Sequence, residues 1–195
     1  MGNRQVELIQ NMKDKEVLFH LYFTQFSILL LAIVLGFFLF GDLASFLHIW
    51  KWDIKEILLF GGGSAIIVIG IDVILMKVLP REMYDDGGIN EKVFKNRPVW
   101  HSFIICMLVA FSEEFFFRGM IQTHFGLIIA SSIFAILHIR YLYKWVLFTA
   151  VVSLSFFIGW IYELTANINV TIFMHFLIDF ASALILRFQK TRNVS

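Results

Sequence analysis

Three ionisable residues lie close together in an otherwise apolar stretch of the sequence: Glu113, Glu114 and Arg118. Further ionisable groups occur in later apolar stretches, namely His138, His175 and Asp179. An ionised side chain inside a lipid bilayer costs about 3 kcal/mol or more, so it usually faces a protein interior or a wet cavity. Together these groups indicate a functional site inside a membrane.

Helical spacing sorts these groups into pairs. Residues four apart share one helix face, whereas adjacent residues diverge by about 100°. Glu114 and Arg118 are therefore predicted to form a structural ion pair, in the order that favours such pairs. Glu113 points in another direction and remains a free carboxylate. By the same rule His175 and Asp179 project together from one helix.

The predicted depth of the groups in the membrane is similar. Glu113 lies 13 residues before Gly126, and His138 lies 12 residues after it. At about 1.5 Å per residue along two antiparallel helices, Glu113 and His138 reach nearly the same level. Phe134 precedes His138 by one turn and is expected to support it. The groups are thus predicted to converge on a polar active-site cavity inside a helix bundle.

A carboxylate beside an imidazole suits general acid–base chemistry. Glu113 with His138 could remove a proton from water and return it to a leaving amine. His175 with Asp179 could hold the oxyanion that forms when water attacks an amide carbonyl. Cys106, the single cysteine, is nearly two helical turns from Glu113, so no nucleophile has an obvious base. These features predict peptide-bond hydrolysis without a covalent intermediate.

A metal site is an open alternative to this chemistry. Two histidines and one glutamate form a known catalytic zinc set, which here would be Glu113, His138 and His175. The His-Glu-x-x-His signature of many zinc proteases is absent from the sequence. We therefore expect no cofactor, with zinc as the alternative.

Composition places the chain among membrane proteins. Of its 195 residues 59% are hydrophobic, 23 are Phe, and the charged residues collect between long uncharged runs. The net charge of +1 gives no indication of nucleic-acid binding. The single cysteine excludes an intramolecular disulfide and a cysteine-based zinc site. We expect one membrane domain, 1–195, with the lipid bilayer as its solvent.

The apolar runs predict an all-α polytopic protein with about six transmembrane helices. Residues 1–97 form a two-span N-terminal part, and 98–188 form the core that holds the predicted site. The predicted spans are Val17–Phe40, Ile57–Met76, Pro98–Thr123, Leu127–Ile139, Trp145–Tyr162 and Val170–Phe188. Three consecutive glycines, 61–63, are expected to allow a close helix contact or a kink. Trp50 and Trp52 are expected to anchor a loop at the membrane interface.

The basic residues predict the orientation. With a cytoplasmic N-terminus, thirteen of the sixteen Lys and Arg residues lie on the cytoplasmic side. Only Lys51 and Lys55 lie on the other side, and Arg118 lies within a span. By the positive-inside rule both termini are predicted to be cytoplasmic.

The motifs, in order and each on its own apolar helix, resemble those of a known protease family. The motifs are Glu113-Glu114-x-x-x-Arg118, Phe134-x-x-x-His138 and His175-x-x-x-Asp179. The region that carries them, about Pro98–Phe188, is similar to the CPBP family of CAAX-processing and bacteriocin-processing intramembrane proteases, also called the ABI family. Its type II CAAX prenyl endopeptidases act as glutamate-dependent enzymes without metal.

The resemblance implies roles for individual residues. Glu113 and His138 would activate water, and His175 with residue 179 would form the oxyanion site. Position 179 is Asp where the family often has Asn. An ionised Asp179 would repel an oxyanion, so it must be protonated or must instead orient and charge His175. The implied protein is an integral protein of a bacterial plasma membrane that cleaves a membrane-associated peptide or protein.

Two other functions compete with an endopeptidase. The first is a non-catalytic protein of the CPBP fold that acts in bacteriocin self-immunity or as a scaffold. The second is a small transporter with a proton-coupled carboxylate, although the sequence has no evident inverted repeat. Substitution of Glu113 by Ala separates the first from an enzyme, because only cleavage requires that carboxylate.

Overall fold

A computed structural model describes residues 11–138, 141–142 and 144–188 of the chain. Within these ranges the chain is helical and contains no β-strand. The all-α polytopic architecture predicted from the apolar runs is confirmed. Most of the predicted N-terminal lead-in, the end of the fourth predicted span at Ile139, and the basic residues Lys190 and Arg192 lie outside the described residues.

Nine helices in the described residues are numbered here in chain order. They are α1 (Asp14–Leu39), α2 (Leu43–His48), α3 (Ile54–Val78), α4 (Arg81–Tyr84), α5 (Ile89–Phe94), α6 (Val99–Glu114), α7 (Thr123–Leu137), α8 (Trp145–Thr165) and α9 (Ile168–Phe188). The turns are wider and π-helical at Ile57–Gly62 within α3 and at Phe115–Gln122, which joins α6 to α7.

Five of the helical stretches in the described chain are long and apolar enough to cross a membrane, one fewer than predicted. The third and fourth predicted spans form one helical stretch, Val99–Leu137, which is broken at Gly126 with φ 84° and ψ 168°. This φ favours glycine, which supports the predicted turn. The arm from Gly126 to Leu137 is only about 16 Å long, roughly half the hydrocarbon thickness of a bilayer. It is therefore a half-length arm rather than a sixth crossing.

The half-length arm folds back along the preceding helix. The rings of Phe117 and Phe134, 17 positions apart in the chain, are in contact with centroids 4.9 Å apart. Because the two segments run antiparallel, the residue one turn before Phe117 lies at the same level as the residue one turn after Phe134. Those positions are Glu113 and His138.

The two ends of the bundle are identified by contacts between loops. At one end, which we call the basic side, Lys92 donates to the carbonyl of Met12 and Lys144 donates to that of Glu82. At the opposite side, the amide of Ile168 donates to the carbonyl of Ile49. Each long helix therefore runs from one side to the other.

The loop before α3 closes the opposite side over the core. Asp42 caps α2 by accepting a 2.7 Å hydrogen bond from the Ser45 amide, and hydrogen bonding from Ser45 lowers the pKa of Asp42. Trp50 packs on Phe115, with ring centroids 5.5 Å apart. The ring of Trp50 is thus partly buried against the bundle, whereas Trp52 is 82% exposed.

Candidate active site

Glu114 lies at the centre of a buried chain of charged groups. Its Oε2 atom is 3.3 Å from Nε of Arg118, and its Oε1 atom accepts a 2.9 Å hydrogen bond from Nδ1 of His175. Only 1% of Glu114, 0% of Arg118 and 6% of His175 is exposed. The i, i+4 pair is therefore present, and its carboxylate also binds a histidine 61 positions along the chain.

The π-helical segment directs Arg118 toward α8. Its Nη2 atom donates to the carbonyl of Ser155 at 2.9 Å and to Ser155 Oγ at 3.1 Å. Its Nη1 atom lies 3.4 Å from Oε1 of Gln122, whose amide donates to the carbonyl of Gly159 at 2.7 Å. A π-helical turn re-aims side chains relative to an α-helix and often occurs at functional sites. Here it joins the charged chain to α8.

His175 is held from both ring nitrogens. While Nδ1 faces Glu114, Nε2 lies 3.5 Å from Oδ2 of Asp179, so the predicted joint projection of His175 and Asp179 is observed. The side chain of Asp179 is 32% exposed, in contrast to the enclosed Glu114. Glu114 thus holds the imidazole from the enclosed side, and Asp179 faces the more open side of the ring.

The side chain of Glu113 points in a different direction from that of Glu114, as adjacent helical residues must, and is only partly buried. Its Oε1 atom accepts a 3.0 Å hydrogen bond from the side-chain amide of Gln25 on α1. The Glu113 carboxylate is also within electrostatic range of His175 and Asp179. The two neighbouring carboxylates therefore belong to one polar cluster but have different partners.

His138 lies at the end of the half-length arm. Its ring stacks on Phe134, with centroids 4.2 Å apart, and its Nδ1 atom donates to the Phe134 carbonyl at 2.9 Å when protonated there. In the neutral ring this tautomer leaves Nε2 as the acceptor nitrogen. The antiparallel register places the ring at the level of Glu113.

Comparison with known proteins assigns a family to this arrangement. Residues 95–181 match the family model described as "Type II CAAX prenyl endopeptidase Rce1-like". Over 170 residues the chain is 44% identical to the Bacillus subtilis (strain 168) protein named "Uncharacterized protein YpbD", covering 87% of this chain and 90% of the relative. The chain belongs to the Rce1-like family. The family resemblance predicted from the three motifs is thereby confirmed, while no solved structure matches the chain.

The alternative zinc set of this Rce1-like protein is Glu113, His138 and His175, and it is not preassembled in the described residues. Both ring nitrogens of His175 already face carboxylates, so neither is directed toward a site shared with Glu113 and His138. Among the residues that the structure describes, no group of three or more His, Cys, Asp or Glu is arranged to hold a metal ion.

Several polar residues at this Rce1-like site were missed by the sequence analysis: Gln25, Ser112, Gln122 and Ser155. Gln25 lies outside the matched family region and is buried within α1. A polar amide in an apolar span indicated a buried hydrogen-bond partner, because burial of an unpaired amide is costly. Thr24 and Ser27 are polar neighbours of Gln25, however, and only tertiary packing shows which of the three faces the site.

Proposed function

We propose that this protein is an intramembrane endopeptidase that hydrolyses a peptide bond of a membrane-associated peptide or protein. One observation carries the proposal: Glu113, a second carboxylate that binds Gln25, directly precedes Glu114 of the buried His175–Glu114–Arg118 chain within an apolar bundle. A merely structural ion pair needs no second carboxylate and no histidine. Membership in a family named for prenyl endopeptidases supports the same chemistry.

In the proposed mechanism Glu113 is the general base. It takes a proton from a water molecule, whose oxygen attacks the carbonyl carbon of the scissile bond. His138, at the level of Glu113, is proposed to align the same water. When the tetrahedral intermediate collapses, the C–N bond breaks and Glu113 returns the proton to the leaving nitrogen. A carboxylate product and an amine product result, and no cofactor is required.

His175 is proposed to stabilise the oxyanion through its positive charge, because both of its ring nitrogens face carboxylates. Ionised Glu114 can only accept, so Nδ1 of His175 carries a proton, and a second proton on Nε2 makes the ring a cation. Carboxylates at both nitrogens favour that charged form. Asp179 accordingly orients and charges His175 rather than binding the oxyanion itself. This assignment explains how Asp can serve at a position where Asn would be a neutral donor.

We propose that the substrate enters from the basic side, or laterally from the lipid on that side. Trp50 and its loop cover the opposite end of the bundle, and the arm that carries His138 stops near mid-depth. With the basic side cytoplasmic, both termini lie in the cytoplasm of a bacterial cell and the protein resides in the plasma membrane. The proposed partners are the lipid bilayer and the membrane-associated substrate.

Cleavage of a library of membrane-tethered peptides by purified protein in detergent tests the function. We expect wild type to cleave, Glu113→Ala to fall to background, and a strong chelator to leave wild-type cleavage unchanged. Asp72→Asn is the matched control, because it removes a half-buried carboxylate from α3, remote in sequence from the motifs, and should cleave like wild type. Loss of cleavage with chelator would favour a metal enzyme. A wild type that cleaves nothing, with a cellular phenotype that survives Glu113→Ala, would favour the non-catalytic immunity or scaffold role.

The orientation is tested by cysteine accessibility in intact cells. The native Cys106 is 1% exposed and should label little, so the labelling of an added cysteine can be measured against a low background. A membrane-impermeant maleimide is expected to label Ser45→Cys from outside and to label Asn96→Cys only after the cells are opened. The reverse pattern would show that the basic side faces outward.

A further inference from the structure

The buried face of α1 is almost entirely apolar, with one exception. Of the 26 residues in this helix only Val17, Gln25 and Ala32 are buried, and the other residues are wholly or partly exposed. A buried amide without hydrogen bonds would cost free energy, so an apolar side chain would pack there at lower cost. The amide of Gln25 is instead bound at both ends.

The two ends of this amide have different partners on α6. Nε2 of Gln25 donates to Oε1 of Glu113 at 3.0 Å, and Oε1 of Gln25 accepts from the hydroxyl of Ser112, which is fully buried. A flipped amide would place its carbonyl oxygen against the Glu113 carboxylate, where both atoms can only accept. The donor therefore faces Glu113 whenever that carboxylate is ionised.

We propose that Gln25 is the positioning residue of the general base. By holding Oε1 of Glu113, Gln25 fixes the carboxylate rotamer and assigns Oε2 as the atom that takes the proton from water. The donated hydrogen bond also stabilises the ionised carboxylate that the first step requires. This inference rests on the proposed function of Glu113, and it gives the first span a part in the site although the matched family region begins at residue 95.

Gln25→Met tests the proposal, because Met is similar in length but cannot donate a hydrogen bond. With the substrate that wild type cleaves, kcat is expected to fall about 10- to 100-fold, since a misplaced catalytic group costs rate rather than binding. KM should stay within about twofold of wild type. Ser27→Ala is the matched control on the same helix, because Ser27 is exposed and its hydroxyl bonds the carbonyl of Phe23. Its kcat should equal that of wild type.

The outcomes separate the inference from the proposed function. If wild type cleaves, Glu113→Ala does not, and folded Gln25→Met keeps the wild-type kcat, the positioning role is overturned and the endopeptidase stands. If wild type cleaves nothing, both are overturned. If Gln25→Met does not fold, Gln25→Asn decides the question, because it keeps an amide on the helix but is one methylene too short to reach Oε1 of Glu113 in the same way. A drop in kcat at constant KM supports the proposal, and an unchanged kcat overturns it.

Discussion

Arg118→Met is expected to lower the free energy of unfolding by about 3–5 kcal/mol, because it leaves the Glu114 carboxylate buried without its guanidinium partner. Arg118 and Glu114 are both almost completely enclosed, so water cannot replace the lost charge. The carbonyl of Ser155 and the amide oxygen of Gln122 would lose a donor at the same time. Unfolding in mixed micelles by titration with a denaturing detergent, followed by circular dichroism, measures the change.

A paired variant distinguishes a broken ion pair from a simple loss of packing. Glu114→Gln/Arg118→Met removes both charges, so it should recover most of the stability lost in Arg118→Met. Arg81→Met is the matched control, because Arg81 forms an ion pair with Glu91 on the exposed basic side. Such pairs contribute about 0–1 kcal/mol. If Arg118→Met changes stability no more than Arg81→Met does, the buried pair does not stabilise the fold.

Gly61→Ala is expected to destabilise the protein by about 1–3 kcal/mol, the usual cost of overpacking a tight contact. A Cβ atom at Gly61 would lie 2.7 Å from the carbonyl oxygen of Val170 and 3.3 Å from Cδ1 of Phe173. The obstacle is backbone, which a side-chain rotation cannot relieve, so α3 and α9 must separate. Because α9 also carries His175, we expect cleavage to fall together with stability.

The neighbouring glycines provide the controls for this effect. A Cβ at Gly62 would be in ordinary contact with Phe173 at 3.6 Å, and a Cβ at Gly63 meets nothing within 4 Å. Gly63→Ala should therefore leave stability unchanged or raise it by about 0.5–1 kcal/mol, since alanine loses less entropy in a helix. Equal melting temperatures for Gly61→Ala and Gly63→Ala would rule out the close helix contact.

The features that the sequence predicted well are local. Apolar length identified the crossing helices, and i, i+4 spacing brought Arg118 to Glu114 and Asp179 to His175. A glycine inside an apolar run marked the turn at Gly126. Each of these follows from helix geometry or from the solvation of side chains within a short segment, so no knowledge of packing was needed.

Three features depended on how the helices pack. The bond from His175 to Glu114, the bond from Gln25 to Glu113 and the contact of Gly61 with Val170 all join residues more than 60 positions apart. Their formation depends on the rotation of each helix about its own axis. The spacing of apolar residues in the sequence predicts that rotation poorly when such residues cover all faces of the helix, as they do in α1 and α3.

By itself, therefore, the sequence determined an all-α membrane protein and predicted that Glu113, Glu114, His138, His175 and Asp179 lie at similar depths. The tertiary structure decided which carboxylate is buried between Arg118 and His175, and which one is held by Gln25 near the more open side. The physical reason is that local periodicity places a side chain on a helix face, whereas only the packed bundle determines what that face meets.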